Sequence, residues 1–509
     1  MGGVLAELGL EWQYNSTYDS ETEERDAMKL SVIIPSYNSD RLLLMGLELL
    51  MKQLVKDDDC YEIIVVDDGS DDMTRFHVEQ LQGQFDQLHY VHRPRDSDSC
   101  RSRARNLGIQ ASTGDILCFF DSGILIPLDG LARIADYYRN RPESSSHVCM
   151  LYTYGLRVDP ALTDISILNG MSFESANSYV PLLAGEEWQD FRHDVFRRDV
   201  SAVASPWYYG FSCAITVPAA LAKRIGGFDE AYLGWGVEDI DFSYRLFQQG
   251  AAFHHPKGLV AFHYPHPIHR SEEKRSNESR NKAYMHAKFN ELETELYLIY
   301  EGPMYTFVME KLRVLRMSDV LPAPYSEHSL EELRCVHLDG MSRSLLIGPD
   351  CAGTAELLPT THLFAHSRPL TELYQQQLAD RTVEYLLGCR TAYEGQYFDV
   401  VIVSDLFRLF SADFQEHWLL ELSRIGKKVV LLVSDRFHER FNQVLNSGIG
   451  EEHVVIPNPV QRKLFMERVY QTTESELKER IAAYPRVSLW AMSHSNAYDY
   501  ETEGVVNHE

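Results

Sequence analysis

Three short apolar runs, SVIIP at 31–35, EIIVVDD at 62–68 and DILCFFD at 115–121, each stop abruptly at a proline or an acid. Strands so continuously apolar are buried on both faces, which a sheet achieves when helices cover both sides. The stretches between them, LLLMGLELLMKQLV at 42–55 and ARNLGIQAS at 104–112, carry apolar residues at helical spacing. This alternation predicts an α/β unit with a parallel sheet. In such sheets ligands gather beyond the carboxyl ends of the strands, where 35–38, 67–72 and 121–123 would come together. Three strand ends with polar tips predict one site.

The length, 509 residues, is too great for one ordinary core and predicts at least two domains. A second alternating pattern supports this, with strand candidates in RSLLIGPDCAGT, THLFAHS, FDVVIVSDLF and KKVVLLVSD. Between the two lies a helical stretch, FNELETELYLIYEG followed by MYTFVMEKLRVLRM. The expected organisation is an N-terminal extension over 1–28, a first α/β domain over 29–290 and a helical connector over 291–335. A Rossmann-like α/β domain over 336–470 and a C-terminal tail over 471–509 complete it.

The net charge of −27, from 48 basic and 75 acidic residues, argues against a nucleic-acid partner and against an anionic lipid surface. An anionic ligand would need local donors, a metal or a helix N-terminus. No apolar run approaches the roughly 18–20 residues of a membrane helix. The opening MGGVLAELGLEW has no basic flank and is not expected to be a secretory signal. The eight cysteines include no C-x-x-C pair, so a reducing cytoplasm and no zinc site are expected.

Four segments occur in order: SVIIPSYN, EIIVVDDGSDD, ARNLGIQASTGDILCFFDSG and, at 226–246, GGFDEAYLGWGVEDIDFSYRL. Over about 29–290 the chain resembles family 2 glycosyltransferases of the GT-A fold. The last segment also resembles the C-terminal motif of galactosyl- and N-acetylgalactosaminyltransferases, including bacterial chondroitin-type polymerases. The resemblance implies a nucleotide-diphospho-sugar transferase that inverts the anomeric carbon, with a UDP-sugar the commonest donor. The acceptor would be a hydroxyl or other nucleophile on a glycan, a peptide or a small natural product.

In that resemblance Pro35, Tyr37 and Asn38 line the nucleotide, and Asp67 or Asp68 accepts a hydrogen bond from the base. Turn formation is the plainer role for D-D-G-S. Arg101, Arg103 and Arg105 suit either diphosphate contact or salt bridges, and Arg105 and Asn106 match the family's A-R-N-x-G segment. Asp121-Ser122-Gly123 stands where relatives carry D-x-D, so the second acid of the metal site is missing, with Gly123 in its place. A hard cation, Mn2+ or Mg2+, would then rest on Asp121 and one histidine of LVAFHYPHPIHR. His263, directly after an apolar run, is chosen over His266 and His269. His254 and His255 are expected to be structural or on the surface.

Gly234-Trp235-Gly236 lets the backbone bend sharply while an indole faces the cavity, a floor for the apolar face of a sugar. Glu238 and Asp239 open a segment of helical spacing. The resemblance makes Asp239 the general base and Glu238 the acceptor ligand, beside Trp235 and Gly236. The positive end of the helix dipole is expected to favour the ionised form and so to depress the basicity of Asp239. Asp229 and Asp241 fit caps or turns, and RSNESRNKAYMHAKF is expected to close over the donor only once it binds.

The second domain resembles, more weakly, S-adenosylmethionine-dependent methyltransferases. Pro349 and Asp350 depart from that family's glycine loop. It is expected to dock the acceptor, pair subunits into a homo-oligomer or brace the first domain. Two further readings stay open: a bifunctional glycosyltransferase and methyltransferase, and a non-catalytic carbohydrate-binding scaffold, motivated by the lost acid.

Overall fold

The structure, a computed structural model, describes residues 27–56, 58–163, 165, 168, 188–196, 200–267, 271–316, 325–349, 352–434 and 472–492. The extension over 1–26, His269, Asp350 and the last seventeen residues (493–509) lie outside them.

Strands β1 (Lys29–Ser36), β2 (Cys60–Asp67), β3 (Leu88–His92) and β4 (Ile116–Phe120) begin the first domain. They pair in parallel in the order β3-β2-β1-β4. Helix α1 (Asp40–Leu50) follows β1, and α2 (Arg101–Ala111) precedes β4. Beyond β4 the sheet continues through β8 (Ala214–Pro218), antiparallel to both neighbours, to β6 (His147–Met150) and β9 (Ala252–His254). A small second sheet joins β5 (Ile124–Leu125), β10 (Val260–His263) and β7 (Tyr152–Tyr154). The runs read as strands are buried along almost their whole length, as the covered sheet requires. Helix α2 lies close on β1: a Cβ on Gly108 would stand 2.3 Å from Cγ2 of Ile33.

Helix α3 (Glu238–Gln248) ends the recognised motif, and α4 (Glu272–Phe289) follows β10. Two helices, α5 (Leu292–Ile299) and α6 (Gly302–Arg316), then lead to the second domain. Its sheet contains β11 (Ser344–Ile347), β12 (His362–Phe364), β13 (Thr382–Glu384), β14 (Val400–Val403), β15 (Val429–Val433) and β16 (Val487–Ala491). All neighbours are parallel, in the order β13-β12-β11-β14-β15-β16. This is the doubly wound order whose switch point falls between β11 and β14. Strand β16 corrects the boundary at 470. The stretch from 472 to 492 supplies a helix (Glu474–Ile481) and this edge strand to the second domain, and the strand gives little signal in sequence because VSLWA is only half covered and carries no continuous apolar run. Among the described residues no helix is long and apolar enough to cross a membrane.

The two domains share a core and a charged seam. Arg368, at the start of helix α7 (Arg368–Gln377) in the second domain, donates to Oε1 and Oε2 of Glu291 at 3.1 and 2.9 Å and to Oε2 of Glu293 at 3.2 Å. It also donates to the Tyr244 hydroxyl at 2.8 Å, and that hydroxyl in turn donates to Glu291. Tyr244 belongs to α3, the helix opened by Glu238 and Asp239. Glu295 of α5 reaches the other way and accepts from the backbone N–H groups of Leu387, Cys389 and Arg390. Arg368→Gln removes a partly exposed but multiply bonded cation. It is expected to cost about 1–2 kcal/mol and to lower the thermal midpoint by at least about 2 °C in a melting curve.

Candidate active site

The carboxyl ends of β2, β1 and β4 lie side by side, and the loops leaving them are stitched together. Asn38, held at φ +48°, accepts on Oδ1 from the Asp71 N–H at 2.9 Å and donates its own N–H to Ser70 Oγ at 2.9 Å. Ser122 Oγ donates to the Pro35 carbonyl at 3.3 Å and accepts from Ser39 Oγ at 3.1 Å. These contacts shape a cleft of about 460 Å³ lined by Pro35, Tyr37, Asn38, Asp68, Arg95 and Ser122 among others. The Arg95 guanidinium lies 3.7 Å from the Tyr37 ring centroid and donates to Asp68 Oδ2 at 2.9 Å. Arg93 binds the other oxygen of Asp68.

A second cleft of about 930 Å³ adjoins the first. Its walls include Trp235, Gly236, Val237, Glu238, Asp239 and Tyr297. Asp121 and His263 line both. Their meeting follows from topology, since β10 pairs antiparallel with β5, placing His263 opposite Ile124, just past Asp121. Burial pushes the His263 imidazole down to about 4, and the neighbouring His266 adds to this. Its buried Nδ1 makes no hydrogen bond among the described residues.

Val237 precedes the acids at φ +79°, a left-handed conformation strained for a β-branched residue. The bend of 234–236 is fixed from behind by α4. Asn281 Nδ2 donates to the Gly236 carbonyl at 2.9 Å, and Arg280 donates to that of Leu233 at 2.7 Å. A Cβ on Gly234, itself at φ +79°, would stand 2.5 Å from Asn277 Nδ2. RSNESRNKAYMHAKF is therefore a formed helix supporting the bend, rather than a segment that orders only with donor. Its cap, Ser271, accepts from the Lys274 N–H.

Three residues sit elsewhere than the sequence predicts. Asp67 is fully buried behind the first cleft; it accepts from the Tyr90 hydroxyl at 2.5 Å and the Ser70 N–H at 2.8 Å, so Asp68 alone of that pair reaches the cavity. Asn106 braces the turn before the motif: Oδ1 accepts from the Phe228 N–H at 2.7 Å, while Nδ2 donates to the Phe228 carbonyl and to Glu230, both at 2.8 Å. No part of it lines either cleft. Arg105 is 2% exposed and binds two acids, Glu238 Oε1 at 3.2 Å and Asp121 Oδ1 at 3.1 Å. It is a buried spacer between carboxylates, not a free cation awaiting phosphate.

Asp239 also departs from expectation. Its carboxyl is pushed up to about 7, first by burial and then by the charge of adjacent Glu238, with Arg105 pulling the other way. The helix dipole is outweighed by desolvation and a like charge. One oxygen accepts from the Ile240 N–H at 2.9 Å; the other takes no hydrogen bond among the described residues. A carboxylate poised near neutral pH beside a cavity has the properties of a general base. Sequence reasoning left Arg101 between diphosphate contact and a salt bridge and missed Lys274, yet both line the two clefts. Their charged local sequence, RSRAR and SEEKRS, looks like ordinary solvated helix surface.

Comparison with known proteins bears on this arrangement. Residues 31–177 match the model of glycosyl transferase family 2, and residues 198–270 match that described as the N-terminal domain of galactosyltransferase. The validoxylamine A glucosyltransferase of Streptomyces hygroscopicus subsp. limoneus is 32% identical over 225 residues, 43% of this chain and 48% of its own length. The chondroitin synthase of Pasteurella multocida (strain Pm70) is 27% identical over 247 residues, 47% of this chain and 25% of its own. The chain thus spans about half the length of the first relative and a quarter of the second. Among solved structures, S. aureus TarS 1-349 overlaps with a TM-score of 0.37 and 19% identity, over 55% of this chain and 69% of that one. The mannosyltransferase PcManGT from Pyrobaculum calidifontis, in complex with GDP-Man and Mn2+, gives 0.35 and 17%, over 54% and 67%. Overlaps this loose add nothing to the family matches.

Proposed function

We propose that this chain moves a sugar from a nucleoside diphosphate donor, a UDP-sugar first, to an acceptor hydroxyl with inversion, a reading supported by the match of residues 31–177 to the glycosyl transferase family 2 model and of residues 198–270 to that described as the N-terminal domain of galactosyltransferase. The observation that carries the reading is the meeting of two clefts at Asp121 and His263, with Asp239 in the wall of the larger.

The smaller cleft takes the nucleotide. Tyr37 and Arg95 offer a flat stacked surface to the base, and Asp68 offers a carboxylate edge to its N–H groups. The larger takes the acceptor against Trp235, which is 38% exposed and so free to meet a sugar face. Glu238, locked by Arg105, positions the acceptor hydroxyl. Asp239 takes its proton as the oxygen attacks the anomeric carbon and the diphosphate departs on the opposite side. A single displacement of this kind inverts the centre.

Asp121 and His263 suit a divalent cation in chemistry, a hard carboxylate together with a neutral ring nitrogen. Among the described residues they belong to no cluster of three or more potential ligands, so the donor and water would complete the coordination. Mn2+ or Mg2+ held there would supply charge neutralisation to the leaving diphosphate.

For the second domain a bracing role is better supported than methyl transfer. At its switch point a Cβ on Gly348 would lie 2.4 Å from Leu406 Cδ2, so the position for close ligand approach is already filled. Asp405, the acid beyond β14, is taken up by the Ser434 N–H, Arg408 and the Tyr325 hydroxyl.

A thermal-shift screen of UDP-, GDP- and ADP-sugars, with Mn2+ or with EDTA, tests the whole reading. One nucleotide class is expected to raise the midpoint and then to support transfer or slow donor hydrolysis. Failure of every donor to shift the midpoint or to turn over would overturn it.

A further inference from the structure

We propose that Arg101 and Lys274 together form the clamp that holds the leaving diphosphate. This deepens the donor-site reading above and rests on it. If the nucleotide occupies the smaller cleft and the acceptor the larger, the scissile bond lies where the two meet. Arg101, Asp121, His263, His266, Pro267 and Lys274 line both clefts, and only Arg101 and Lys274 among them carry fixed positive charge at neutral pH.

Four nearby cations on the donor side are already committed. Arg93 and Arg95 bind Asp68, Arg103 lies within 4.0 Å of Asp96, Asp98 and Glu230, and Arg105 is shared by Asp121 and Glu238. Arg101 and Lys274 make no ion pair among the described residues, in a chain with 75 acids to 48 bases. The contact given for Lys274 is with the Trp235 ring, 5.9 Å from its centroid. Burial and the Arg101 charge both lower the Lys274 pKa, so the two cations repel one another across the junction. Arg101 also opens α2, whose first turn holds no acid and whose cap residue, Cys100, makes no side-chain hydrogen bond to it. A dianionic group set between these cations relieves the repulsion and satisfies both.

The missing acid of the metal site gives this arrangement its purpose. Gly123 occupies that position, at φ +88°, and has no side chain to offer a cation. Asp121 is in part neutralised by Arg105. With one acid fewer to hold a cation at Asp121 and His263, the fixed side chains of Arg101 and Lys274 share the diphosphate charge with it. As the sugar–oxygen bond breaks and its electron pair passes to the β-phosphate oxygen, the added negative charge develops between the guanidinium and the ammonium.

Calorimetric titration of the full chain with UDP and with uridine, in EDTA, tests this for wild type, Arg101→Ala, Lys274→Ala, Lys274→Arg and Arg103→Ala; GDP and guanosine serve as the second pair. Wild type is expected to prefer the diphosphate to its nucleoside. Each alanine at 101 or 274 should weaken diphosphate binding about tenfold or more and leave nucleoside binding unchanged. Lys274→Arg should restore most of the loss, and Arg103→Ala should do nothing. Diphosphate affinity unchanged in both alanine variants would overturn the clamp while leaving the donor reading intact. If wild type bound neither diphosphate, the donor reading itself would fall and the clamp with it.

Discussion

Asp239→Asn is expected to lower kcat by about 10²–10⁴-fold while nucleotide affinity stays within about twofold. The amide keeps the shape of the carboxyl and can still meet the Ile240 N–H with its oxygen, so the first turn of α3 should persist. What disappears is the proton acceptor. For wild type, kcat/KM should rise with pH and level off above an apparent value near 7, where the free enzyme's Asp239 loses its proton. The asparagine variant should lose that limb. Stability should move the other way. The folded acid keeps its proton up to about 7, whereas an unfolded aspartate ionises near ~3.9. Wild type therefore loses stability as pH rises from roughly 4 to 7. Above pH 7 the asparagine variant should melt at a higher temperature than wild type. A variant with full turnover and an unchanged pH limb would remove Asp239 from the chemistry.

Arg105→Leu should be the most damaging single change in the site. It leaves Glu238, 7% exposed, with Asp121 and Asp239 nearby and no cation between them. Removing one partner of a buried pair costs about 3–5 kcal/mol, read in a denaturant titration. Because the Arg105 charge holds Asp239 down, its loss should also move the acidic limb of kcat/KM above 7 in whatever activity remains. Lysine should rescue poorly, since one ammonium cannot reproduce a planar fork that spans two carboxylates. Diphosphate binding by the folded variant should change little. A fall in diphosphate affinity matching the fall in turnover would instead return Arg105 to the donor.

These two residues mark how far the chain could be read without coordinates. Strands β1, β2 and β4 were legible because a strand buried on both faces has to be continuously apolar, and the polar tips at 35–38, 68 and 121–122 follow each run immediately. The acids after Trp235 were legible because glycine, a large ring and helical spacing fall within a few residues of one another. Arg105 and Asn106 were misassigned because their partners are remote in sequence: Glu238 lies 133 positions from Arg105, and Phe228 lies 122 from Asn106. Local pattern cannot show that a cation is already paired at such a distance. The ionisation of Asp239 was misjudged for a related reason. The dipole is a property of the helix alone, but the desolvation that outweighs it comes from everything packed around it.

Strand β16 changes the meaning of the chain's last stretch. Its neighbour β15, VVLLV, is buried throughout and has β14 on its other side. Cutting the chain at 470 would strip the cover from that run and leave a row of open amides and carbonyls along the most adhesive strand of the sheet. What looks in sequence like an appendage covers that run and moves the edge of the sheet outward to VSLWA, a strand with no continuous apolar run.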